Sequence, residues 1–115
     1  MAKVGRFVID PKAGAYCQIT LDDGKKVIVN HDKGGFKGGR ITVEVPKLFG
    51  LSSDQIFAWD LDSDHARTVL QRLTQFAQKD SAAATPLGAV VGHIQDARSL
   101  DEVKAKCAEL IRGAS

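Results

Sequence analysis

The sequence predicts an α+β fold: a small N-terminal β-barrel of four to five strands followed by three α-helices. Three observations carry this reading. Up to about residue 62, apolar residues alternate with polar ones in short runs broken by Gly, Pro and Asp-Gly. From residue 63 onward the apolar period lengthens from 2 to 3.6. A chain of 115 residues, 43% apolar and 26% charged, has the makeup of one globular domain. It can bury one core but hardly two, so the β part (1–62) and the helical part (63–115) are expected to share packing.

The elements follow in order. Residues 4–9, V-G-R-F-V-I, favour a strand that ends at Asp10-Pro11. From Ala15 to Leu21 the pattern alternates, with Cys17, Ile19 and Leu21 on one face and Tyr16, Gln18 and Thr20 on the other. Asp22-Asp23-Gly24 signals a hairpin, because Gly accepts the positive φ of a tight turn. Val27, Ile28 and Val29 form the returning strand, which reaches about His31. Arg40 to Val45 alternates again, with Ile41, Val43 and Val45 inward, and Pro46 stops the ladder for want of an N–H. Pro46 to Gly50 reads as one helical turn, and Ile56 to Leu61 as a fifth strand with Phe57, Trp59 and Leu61 on its core face.

The first helix carries Ala66, Val69, Leu70, Leu73, Phe76 and Ala77 on its apolar side, with Ser63 as N-cap. Residues 81–85, S-A-A-A-T, are a short linker. Thr85-Pro86 opens the second helix, whose stripe is Leu87, Val90, Val91 and Ile94. Ser99-Leu100-Asp101-Glu102 is a capping box for the third, with Val103, Cys107, Leu110 and Ile111 on its buried side.

Net charge is only +2, but its distribution is uneven. Residues 1–47 hold nine Lys/Arg against five Asp/Glu, and residues 48–115 hold seven against nine. The basic half is the β half, and a local excess says more about partners than the total does. Cys17 and Cys107 each lie in an apolar pattern, so buried, reduced thiols are expected rather than a disulfide framework. The N-terminal segment lacks the apolar run of a secretory signal, and no stretch approaches the ~20 apolar residues that span a bilayer. A cytoplasmic protein without a membrane partner is the expectation.

The stretch Gly24 to Arg40, G-K-K-V-I-V-N-H-D-K-G-G-F-K-G-G-R, is the candidate site. It holds five Lys/Arg and a single acid, Asp32. Phosphate binding needs cations and backbone N–H groups that a ligand can approach, and glycine leaves that approach open. Phe36 stands among the glycines with no strand pattern to bury it. An exposed ring beside cations is what base stacking uses. On this reading Lys25, Lys26, Lys33, Lys37 and Arg40 hold phosphates, Phe36 stacks a base, and His31 bonds to a base or sugar. The alternative for the loop is a solvated turn whose Phe folds back on the barrel. Gly35-Phe36-Lys37-Gly38 also matches a G-x-x-G loop, although here strands flank it rather than helices.

Residues 19–45 carry a wider pattern: I-T-L-D-D-G-K-K-V-I-V-N-H, a loop, then G-G-R-I-T-V-E-V. This resembles the core of S1-type OB-fold domains, including those of the bacterial translation initiation factor one type. The resemblance implies a five-stranded barrel that binds RNA on one face; the strand pattern by itself leaves the barrel OB-like or SH3-like, with RNA expected over DNA. It would bring Lys25, Lys26, His31, Lys33, Lys37 and Arg40 near that face. Phe7 and Tyr16 are the aromatic candidates there. The Gly39-Arg40 pair departs from the Gly-Asp usual before the final alternating strand of that family.

No catalytic apparatus is expected, nor any cofactor or metal. Asp60, Asp62 and Asp64 hint at a calcium loop, but the sixth position is His65 where Gly is needed and the twelfth is Gln71 where Glu is needed. His31, His65 and His93 are scattered, and neither Cys stands at ligand spacing from them. No phosphate-binding P-loop, dinucleotide fingerprint or nucleophile elbow occurs. The class that competes with nucleic-acid binding is a protein-interaction or assembly module, in which one amphipathic helix buries its stripe against a partner or a second copy.

Overall fold

A computed structural model describes residues 3–10, 14–32, 39–47, 52–61, 63–74 and 86–112. Six strands and three helices follow one another: β1 (Lys3–Val4), β2 (Val8–Asp10), β3 (Gly14–Thr20), β4 (Lys26–Asp32), β5 (Arg40–Pro46), β6 (Ser53–Asp60), α1 (Asp64–Thr74), α2 (Pro86–Ile94) and α3 (Leu100–Arg112). The α+β class and the order of strands before helices are as the sequence predicts.

The strands make an antiparallel sheet in consecutive order, with β1 and β2 both pairing β3 at one margin and β6 forming the other. Among the described residues no pairing joins the two margins, so the sheet is open where a barrel was expected. The physical reason lies in the helices. The inward residues Cys17, Ile19, Val27, Val29, Ile41 and Val43 form one apolar cluster with Ala66, Val69, Leu87, Val90, Ile94, Val103 and Leu110. Helices, not a further wrap of strand, take the apolar face out of water. Each fully buried Val, Leu or Ile contributes about 1.5–3 kcal/mol.

Other expectations are refined. The first strand is two short pieces: the Gly5 N–H still donates to the Gln18 carbonyl at 2.7 Å, and the register then slips by one residue before Val8 pairs with Tyr16. Gly24 has φ +86, as the tight β3–β4 turn demands. Pro46 does not stop the ladder: it pairs with Ser53, and the Lys47 N–H donates to the Ser52 carbonyl at 2.9 Å. Pro at the last position of a strand costs no needed N–H. The helical turn expected from Pro46 is therefore strand at its first residue, and residues 48–50 lie outside the described ones. β6 begins three residues before the expected Ile56, and a bulge at Val43/Glu44 leaves Ile56 without an opposite number, since Phe57 faces Val43 and Gln55 faces Glu44.

The helix caps form as read. Ser63 Oγ accepts from the Ala66 N–H at 3.1 Å, and Ser99 Oγ from the Glu102 N–H at 3.3 Å. The Glu102 carboxylate reaches back to the Arg98 N–H at 2.6 Å, one residue ahead of the cap position that the sequence pattern indicates. α2 is apolar nearly all round and accordingly buries Gly88 and Ala89 as well as its stripe. α3 buries Val103, Cys107 and Leu110, but Ile111 is 51% exposed, contrary to expectation. It falls in the final turn beside Leu110, which takes the buried position there.

Candidate nucleic-acid interface

The sheet has an inner face under the helices and an outer face that no described helix covers. Strand alternation decides which side chains stand outside. Tyr16, Asn30, Thr42 and Ala58 form one row across four strands, with Thr42 buried at its middle, and Gln18, Ile28, Glu44 and Gln55 form the next. Tyr16 is 45% exposed, the most accessible aromatic side chain among the described residues. Asn30 Nδ2 donates to Glu44 Oε2 at 3.2 Å and ties the two rows together. Phe7, the other aromatic candidate, packs half-buried against the core instead.

The residues expected to form one basic site are not all in one place. Lys25 and Lys26 sit at the β3–β4 turn, whereas Asp32 and Arg40 sit at the far end of β4. A seven-residue strand separates the two ends by about 20 Å. Lys33, Phe36 and Lys37, with the rest of the G-x-x-G segment, lie outside the described residues.

His31 is on the inner face with Val27 and Val29 and is only 7% exposed. Its ring rests against Gly39, which stands where a side chain would collide with it. The structure thus corrects the expectation that His31 is offered to a base: an odd position along β4 points into the core. Arg40 keeps its outward place, but its Nε lies 2.6 Å from Asp60 Oδ1, and Asp32 is its cross-strand neighbour on the other side. Two carboxylates flank this cation, so its field is largely cancelled.

At the opposite end the balance is different. A groove of about 850 Å³ lies between the β3–β4 turn and the base of the β5–β6 hairpin. Lys25, Lys26 and Lys47 line it, together with Ser52 and Ser53. Among the described residues Lys25 and Lys26 are exposed and have no ion pair. Lys47 Nζ meets Asp54 at 3.2 Å in a pair open to solvent on both sides. Sequence reasoning missed Lys47, Ser52 and Ser53, because Pro46 read as the end of a strand. No local signal marks them, since Ser53, Asp54 and Gln55 are weak strand formers and are drawn into β6 by its pairing with β5. Val45, expected inward, is half-buried and lines the groove.

The remaining titratable groups are dispersed. His65 Nε2 lies 2.7 Å from the Ile111 carbonyl, and His93 Nε2 lies 3.2 Å from Glu109 Oε2 without the angles of a hydrogen bond. Among the described residues no three His, Cys, Asp or Glu come together as a metal set. Cys17 and Cys107 are both buried and unlinked. Burial pushes the Cys107 thiol up to about 12 and also raises that of Cys17. No described helix is long and apolar enough to cross a membrane. Comparisons with family models, with curated proteins and with solved structures yield no match.

Proposed function

We propose that the protein is a nucleic-acid-binding module that takes single-stranded nucleic acid, RNA favoured over DNA, along the outer face of its sheet. The observation that carries this reading is the division of labour between the two faces. The helices bury one side of the sheet, while the other keeps an accessible Tyr16 ring with exposed Lys25 and Lys26, unpaired among the described residues, toward one end. Aromatic platforms beside cations are the parts that single-strand binding uses. In the sequence, Lys33 and Lys37 follow β4 directly and flank Phe36, which continues the same composition of cations beside an aromatic ring. The preference for RNA, and an OB-like or SH3-like architecture, rest on the likeness of residues 19–45 to S1-type domains. Two unlinked buried thiols favour a reducing compartment, hence the cytoplasm. The competing module, acting through its helices, has less to offer, since the stripes of α2 and α3 are spent inside the chain except at Ile111.

Fluorescence anisotropy with labelled single-stranded RNA and DNA, at low and moderate salt, tests the reading. Phosphate-driven affinity falls steeply as salt rises. Tyr16→Ala should cost about 1–3 kcal/mol of binding, the worth of one stacked base, and leave folding nearly unchanged. Lys33, Lys37 and Arg40 replaced by Glu should weaken binding if the loop takes part. A wild-type protein that binds neither strand even at low salt would end the proposal.

A further inference from the structure

We propose that the groove between the β3–β4 turn and the β5–β6 hairpin is a nucleotide site, with the phosphate on the lysines and the base over an apolar floor. This deepens the nucleic-acid reading and rests on it for the class of ligand. Three features of the groove argue for it. Its volume, about 850 Å³, lies in the range of small-molecule sites. Among the described residues, every charged side chain that lines it is a lysine and no carboxylate does. And its walls differ in chemistry from one side to the other. Ile28, Val45 and Pro46 give a half-buried apolar surface, while Lys25, Lys26 and the two serines supply cations and hydroxyls.

The turn explains how the cations are presented. Asp23 Oδ1 accepts from the Lys25 N–H at 3.0 Å, which spends that carboxylate on the backbone and braces the turn. Nothing stands within 4 Å of the place a Gly24 side chain would occupy, so the turn is open on its outer side. Across the groove, the Lys47 N–H bond to the Ser52 carbonyl fixes the hairpin base. Among the described residues Lys47 is held by a solvent-screened pair with Asp54, which an entering phosphate can displace. A phosphate between the two lysine-bearing edges gains charge-assisted hydrogen bonds from both. A base then lies over Ile28 and Pro46, one row from the Tyr16 row, so the same site serves a free nucleotide or one unit of a strand.

The test is titration of isotope-labelled protein with adenosine monophosphate, adenosine and inorganic phosphate, followed through backbone amide signals. The expected result is saturable movement of the Lys25, Lys26, Lys47 and Ser53 signals with the nucleotide, and at least tenfold weaker binding of either half alone. Lys25→Glu with Lys26→Glu should lower nucleotide affinity at least tenfold. In the strand assay the same pair should flatten the log-affinity against log-salt slope by about 0.7 for each lost phosphate contact. Nucleotide signals that do not move, or a slope unchanged by the double variant, overturn the groove even if strands still bind. Movement by the nucleotide with no strand binding upholds the groove as a site for free nucleotides and sinks the strand reading instead.

Discussion

The imidazole of His31 is packed against the α-carbon of Gly39, and each residue dictates the other. Gly39 has φ +91, a conformation that L side chains rarely adopt, and a Cβ built on it would overlap His31 Nε2. The Leu61 N–H donates to the Gly39 carbonyl at 3.0 Å, so the backbone cannot easily withdraw.

Gly39→Ala should therefore destabilise the fold for two reasons. Left-handed backbone costs an L residue about 1–2 kcal/mol, and the collision with the ring adds to it. Urea unfolding of Gly39→Ala, His31→Ala and the double variant separates the two. The double variant should be less destabilised than the sum of the single ones, because shortening His31 removes the collision but not the backbone strain. Strict additivity would show that the ring and the glycine do not constrain each other.

Asp60 masks Arg40. Asp60→Asn should unmask the guanidinium in part, since Asp32 still stands on its other side, and raise affinity for single-stranded RNA a few-fold at low salt, with the gain shrinking as salt rises. The exposed pair is worth less than about 1 kcal/mol to folding, so thermal stability should hardly move. Lower affinity in the variant would mean that Asp60 positions Arg40 rather than hides it.

The entry to α3 rests on Ser99 and Glu102. Ser99→Ala should cost about 1 kcal/mol in denaturant unfolding, and Ser63→Ala at α1 a similar amount. Glu102→Gln keeps an acceptor but loses the charge on the bond to the Arg98 N–H, and should cost less than Ser99→Ala. Equal stability of Ser99→Ala and wild type would show that the cap contributes nothing.

Cys107 gives an alkaline signature. Its thiol titrates near 12 in the fold against an ordinary 9.0, so between those values the folded state holds a proton that the unfolded state releases. Stability then falls as pH rises from about 9 toward 12. Thermal melts from pH 8.5 to 10.5 should show a steeper decline for wild type than for Cys107→Ala. The native thiol should also resist alkylation at pH 9 until the protein is unfolded. Rapid labelling of the folded protein would contradict its burial.

Much of the fold was legible in the residues. Alternation at Cys17, Ile19, Val27, Val29, Ile41 and Val43 marks the inner face of the sheet, and Ser63, Pro86 and Ser99 mark three helix starts, since these signals are local. The same alternation, carried past Val29, already puts His31 inside. The candidate site was less legible because a basic segment can be continuous in sequence yet divided in space. Lys25 and Arg40 belong to one stretch of chain, but the rigid strand between them holds them at opposite ends. Lys47 and Ser53 join the Lys25 end only through the β5–β6 pairing, which a proline at position 46 disguises. Barrel closure was not legible because alternation gives the burial of a strand's faces and not what covers them.

The free margin of β6 has a consequence for how these molecules behave when crowded. An eight-residue strand whose outer flank pairs with nothing among the described residues is a template on which another chain can add. The extra residue at Ile56 bends that flank, and Asp54 and Asp60 stand on either side of the bend. A second copy approaching antiparallel would set its own aspartates against them. An inserted residue and carboxylates along an open margin are the devices by which sheets resist adding another strand.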